Sequence, residues 1–68
     1  MTNRTKDDIE VMPGQVWRDL DKRMHGRTRT VLAVVDGKAQ MDGVPKTMVS
    51  VSRMHKSSTG WALVRDPG

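Results

Sequence analysis

The stretch Thr30-Val31-Leu32-Ala33-Val34-Val35-Asp36-Gly37 contains the longest continuous apolar run in the chain. Five apolar residues in succession, three of them valine, suit a buried β-strand, and Asp-Gly directly after them is the signal for a tight hairpin turn. Immediately before it lies the densest positive segment, Lys22-Arg23-Met24-His25-Gly26-Arg27-Thr28-Arg29. The strand therefore decides the fold, and it also ties the basic segment to a rigid support.

Extended back to Arg27, this strand spans about 30 Å at roughly 3.3 Å per residue, long for so small a chain. Apolar residues on both of its faces predict a bend at a bulge, with the strand curling from one side of a small barrel to the other. Upstream, Pro13-Gly14 is a turn signal, and residues 15–20 alternate as a first strand with Val16 and Leu20 facing inward. Asp21 to Gly26 is a polar loop with His25-Gly26 at its tip, and loops of this kind on a rigid scaffold often carry function.

Downstream, Asp36-Gly37-Lys38 turns into a short third strand, Ala39-Gln40-Met41, and residues 42–45 supply the next turn. Residues 46–51 alternate cleanly, with Thr47, Val49 and Val51 on one face and Met48 and Ser50 on the other, as in a half-buried fourth strand. Ser52 to Lys56 is too short for an α-helix and suits one 3₁₀ turn with Met54 tucked inward. A loop over residues 57–60 precedes a last strand, Trp61-Ala62-Leu63-Val64-Arg65.

Sixty-eight residues make one domain with a small core. We expect a barrel domain over residues 13–65, a flexible N-terminal leader over 1–12 and a short tail at 66–68. In the leader, Thr5 and Asp8 form a capping pair for at most one helical turn before Pro13. With no cysteine, neither a disulfide framework nor a thiolate zinc site supplements packing. Nine valines and six methionines stand against two tryptophans and no phenylalanine or tyrosine, so methionine fills gaps where aromatics are missing. No apolar segment approaches the roughly 20 residues needed to cross a bilayer, and no signal-peptide pattern opens the chain, so a cytoplasmic location is expected.

Together these readings give an all-β fold: a small five-stranded antiparallel barrel with a 3₁₀ turn before the last strand, closure removing exposed edges. The carrying segments are Pro13-Gly14-Gln15-Val16-Trp17, then Val31 to Gly37, then residues 49–54 followed by Trp61-Ala62-Leu63-Val64. Their order over residues 13–65 resembles the Src-homology-three-like small barrel, the group that includes Tudor and KOW modules. It is also similar to short proteins encoded by bacteriophages and actinobacteria. The resemblance implies a fold and brings no activity with it. A Tudor-type aromatic cage is not available from two tryptophans.

Charge is unevenly spread. Residues 1–12 carry two cations against three carboxylates, a net of −1, whereas residues 13–65 carry ten against four, a net of +6. A basic body favours phosphate or acidic partners. Arg23, Arg27 and Arg29, with Lys22 close by, are candidates for a basic stripe, extended by Arg53 and Lys56 where the 3₁₀ turn packs near the start of the central strand. Arginine's planar donors suit phosphate oxygens. Base stacking needs exposed rings, and with only Trp17 and Trp61 present we expect backbone contact to DNA or RNA rather than base reading. Two other readings stand beside this one. The cations can simply keep the surface soluble, their stems covering core edges. Alternatively, a sheet face or edge docks a protein, such as an acidic host protein inhibited or adapted by a phage product, with Met48 as an adaptable contact.

Chemistry is poorly provided for. His25 and His55 lie thirty residues apart with no ligand partners at metal spacing, so no metal or cofactor is expected. The tripeptide Arg-Met-His occurs at residues 23–25 and 53–55, but the flanks do not match, and we read coincidence. The serines near His55 lack a strand-to-helix elbow, and the glycines are scattered through turns rather than gathered in a phosphate-cradling loop. We expect a non-enzymatic binding module, monomeric or homodimeric.

Overall fold

The computed structural model describes residues 3–43 and 46–67. Five strands, β1 (Val16–Asp19), β2 (Thr28–Val35), β3 (Lys38–Met41), β4 (Thr47–Ser50) and β5 (Trp61–Arg65), form one antiparallel sheet in the order β4-β3-β2-β1-β5. Among the described residues there are also two 3₁₀ turns, Lys22–Met24 between β1 and β2 and Val51–Arg53 between β4 and β5, and an isolated antiparallel bridge between Arg4 and Glu10. The all-β, five-stranded antiparallel reading holds.

Closure does not. β4 and β5 are the two ends of the sheet and do not pair with each other, so the sheet stays open where a barrel was expected. The reason is local. β4 has only four residues before the chain tightens into the second 3₁₀ turn at Val51, and the Trp61 N–H at the start of β5 is already donated to the His55 carbonyl at 3.0 Å. No ladder joins β4 to β5 across that seam.

The central strand bends as its two-faced apolar content requires: the β2–β3 register shifts between Val31 and Ala33, leaving Leu32 as the extra residue of a bulge. Asp36 (φ 51°) and Gly37 (φ 73°) both adopt left-handed backbone, the requirement of a two-residue type I′ hairpin, which explains Asp-Gly at this point. Ala39, Met41 and Val49 point into the core from β3 and β4, as alternation predicts. The second 3₁₀ turn begins one residue earlier than expected and buries Val51 and Met54. Of the turn expected over residues 42–45, Val44 and Pro45 lie outside the described residues.

β1 faces the other way from the sequence reading. Trp17 and Asp19 are buried, whereas Val16 and Leu20 are only half-buried and Arg18 is exposed. Trp17 is the largest of the fully buried side chains, so burying its ring outweighs burying Val16, and a period of two carries Asp19 in with it.

Gln15, just before β1, ties the segment before Pro13 to Asp66 after β5. Its buried side chain accepts from the Met12 N–H (2.8 Å) and Trp17 Nε1 (3.2 Å), and donates to the Glu10 carbonyl (2.9 Å) and Asp66 Oδ1 (3.1 Å). Every hydrogen-bonding atom of the amide is used, which buried polar groups need. Upstream, Val11 is part of the core and Ile9 packs against it. The Thr5 hydroxyl accepts from the N–H groups of Asp7 and Ile9 at 3.2 and 3.3 Å, closing a turn rather than capping a helix. Packing thus continues upstream of Pro13.

Candidate functional site

The tip of the β1–β2 hairpin is built on two aspartates. Asp21 precedes the first 3₁₀ turn and accepts from the Arg23 N–H at 3.0 Å, the capping role for which a short carboxylate side chain is suited. The Arg23 guanidinium returns to the same carboxylate, Nε at 3.1 Å and Nη2 at 2.8 Å. These side-chain and backbone hydrogen bonds hold Asp21 at a pKa of about 2, well below the usual carboxylate range, and the same pair raises that of Arg23.

Asp19 lies deeper. Its Oδ1 accepts from the Asp21 N–H at 3.0 Å and its Oδ2 from Arg27 Nε at 3.0 Å, while the main chains of the two residues are joined from Asp19 N–H to Arg27 carbonyl at 2.8 Å. The Arg27 guanidinium stands 5.9 Å from the centre of the Trp61 ring, within cation–π range. Arg27 is thus spoken for by a buried anion and an aromatic face.

Arg29 sits opposite Trp17 on the inward side of β2. Its stem lies over Gly43, close enough that a Cβ there would come within 2.7 Å of Nε. Nη1 donates to the Thr28 carbonyl at 3.0 Å, and Nε is buried without a hydrogen-bond partner among the described residues. Lys22 is exposed at the tip, and Arg53 is exposed on the second 3₁₀ turn. Lys56 is exposed in the following loop, where its main-chain N–H reaches Asp7 Oδ2 at 2.8 Å. The structure therefore brings Lys22, Arg23 and Arg27 to one hairpin end, and places Arg53 with Arg27 along one open groove of 240 Å³. Arg29 and Lys56 do not line that groove.

A second basic surface was not anticipated. The residues that turn outward from β1 are Val16 and Arg18; Arg18 has Thr28 and Ala62 as its direct cross-strand partners, and Val16 has Thr30 and Arg65. Directly opposed residues share a face, so Arg18, Arg65, Thr28 and Thr30 lie together on the outer side of β5-β1-β2. Arg65 reaches this side because the β1–β5 register shifts at Val64, a bulge that leaves both Val64 and Arg65 exposed. The only carboxylate in these three strands is Asp19, which faces inward. The signal was in the chain: with Trp17 and Asp19 on one parity, Arg18 has to take the other. Assigning Val16 inward hid it.

No family model, curated protein or solved structure matches the chain.

Proposed function

We propose that the protein is a non-enzymatic binding module that contacts DNA or RNA mainly through backbone phosphates, using the outer face of β5-β1-β2 together with the Lys22 end of the β1–β2 hairpin. One observation carries the reading: parity and a bulge set Arg18 and Arg65 beside the hydroxyls of Thr28 and Thr30 on a face whose strands present no carboxylate to solvent. Arginine guanidinium supplies planar donors for phosphate oxygens, and threonine hydroxyls add hydrogen bonds without sequence reading. Both tryptophans are buried, which disfavours base stacking and supports backbone contact. We further infer kinship with Src-homology-three-like modules, supported by five short strands with a 3₁₀ turn immediately before the last.

Titration of duplex and single-stranded DNA and RNA at several salt concentrations tests the function. Phosphate-driven contact gives log–log salt slopes of roughly −0.9 per contact on a duplex and −0.7 on a single strand. Absence of binding at low salt overturns it.

A further inference from the structure

We propose that the free edge of β4 is a docking site for an extended, acidic peptide segment that adds a strand to the sheet. The site is separate from the outer face described above and does not depend on nucleic-acid binding.

Main-chain direction defines it. Val51 donates its N–H to the Gly37 carbonyl at 2.9 Å, and the register continues as Ala39 with Val49 and Met41 with Thr47. In an antiparallel ladder alternate residues turn both main-chain groups toward the partner, so Thr47, Val49 and Val51 are satisfied by β3 and its turn. Met48 and Ser50 therefore aim outward. The Ser50 carbonyl is drawn into the second 3₁₀ turn as its first acceptor, which leaves the Met48 N–H and carbonyl and the Ser50 N–H along the edge. Met48 and Ser50 are among the residues that line the 240 Å³ groove, with Trp61 on its other side. The other sheet edge is blunted by the His55–Trp61 hydrogen bond and the Val64 bulge, so β4 is the one suited to accept a strand.

Charge selects the occupant. Within the groove Asp19 and Asp21 are engaged by Arg27 and Arg23, while Arg53 has no carboxylate within salt-bridge distance among the described residues. Lys46 lies at the other end of β4. A second copy of this chain pairing antiparallel along β4 would bring Lys46 of one copy toward Arg53 of the other, a like-charge arrangement. A nucleic acid offers phosphate acceptors, which the outward Met48 carbonyl repels. An extended peptide supplies alternating N–H and C=O groups for the edge, and glutamate or aspartate side chains for Arg53 and Lys46. Met48, 57% exposed, is an unbranched and adaptable side chain against which such a strand can lie.

The test uses the full chain, ¹⁵N-labelled, and a fluorescein-labelled hexapeptide of alternating valine and glutamate. Binding is expected, with the largest amide shifts at Met48 and Ser50, and Arg53→Glu should weaken it at least tenfold. Two further peptides keep the protein unchanged. N-methylation of alternate peptide amides should abolish binding in one register and spare it in the other, and the valine–lysine counterpart should not bind. No binding, equal loss from both methylation registers, or shifts centred on Arg18 and Arg65 overturns the proposal. So does a concentration-dependent Met48 shift without peptide, which marks self-association, or the same Met48 shift produced by a DNA dodecamer.

Discussion

Arg27 Nε donates to Oδ2 of the buried Asp19 at 3.0 Å, and the same guanidinium covers the Trp61 ring. One residue from the basic segment therefore neutralises the carboxylate that the period of β1 forces inside. Removing the cation leaves a desolvated anion with only the Asp21 N–H for company. We expect Arg27→Ala to destabilise the fold by roughly 3 kcal/mol, the low end for a broken buried pair because Arg27 remains partly exposed. For a chain of this size that lowers the melting temperature by roughly 12–24 °C. The double variant Asp19→Leu with Arg27→Met removes both charges together and should recover most of the loss. Urea denaturation of the three variants checks this, and an unchanged midpoint for Arg27→Ala would sink the assignment.

How much of this was readable from the chain depends on which interactions decide each element. Asp36-Gly37 was legible because a type I′ turn needs two left-handed residues, a local requirement that few dipeptides meet. The β2 bulge was legible because a strand apolar on both faces cannot stay flat in a small sheet. The face of β1 was not. Residues 15–20 alternate in either sense, and only packing into the shared core with Val31, Met41 and Met54 decides that Trp17 turns inward and Asp19 follows. The open seam was not legible for a similar reason, since it goes with a hydrogen bond between His55 and Trp61 that no local pattern announces. Within the candidate site, the sequence located the basic segment, but which of its arginines are occupied by Asp19 and Asp21 is a tertiary matter.

Acid should reveal the hairpin tip. Asp21 has its pKa lowered to about 2 in the folded chain from an ordinary 3.8, chiefly by the Arg23 side-chain hydrogen bonds. A carboxylate depressed on folding contributes stability above its unfolded pKa and loses it as pH falls through the folded one. The contribution of the Asp21–Arg23 pair is therefore complete above about pH 4 and fades between 3.8 and about 2. Thermal melts of the wild type and Asp21→Asn should differ at pH 6 and converge as pH approaches 2; parallel curves over that range would contradict the pairing.

Gly60 and Gly26 make a controlled comparison. A Cβ at the buried Gly60 would overlap the His55 carbonyl, the group that receives the Trp61 N–H, so Gly60→Ala must displace the backbone at the seam between the last loop and β5. Gly26 (φ 70°) has nothing within 4 Å of its would-be Cβ and bears only conformational strain. Gly26→Ala should destabilise by about 1 kcal/mol, and Gly60→Ala by clearly more, on the order of 2–3 kcal/mol for a forced core shift. Chemical denaturation ranks the two, and the reverse order would refute the packing at Gly60.

The two kinds of arginine separate function from stability. Arg18 and Arg65 are exposed and form no salt bridge among the described residues, whereas Arg27, just before β2, is engaged by Asp19, and Arg29, on the inward side of β2, lies against Gly43. Replacing Arg18 and Arg65 by alanine should leave the melting temperature within the small range usual for surface changes. The salt slope for duplex DNA should become shallower by roughly 0.9 for each phosphate contact removed. The effect should be uniform across sequences, because phosphate contacts carry no base information. Arg29→Ala should do the opposite, loosening the packing over Gly43 and lowering the melting temperature with little change in slope. Measuring both quantities on each variant decides the matter: a slope change from Arg29→Ala alone would move the interface to the inner side of the sheet.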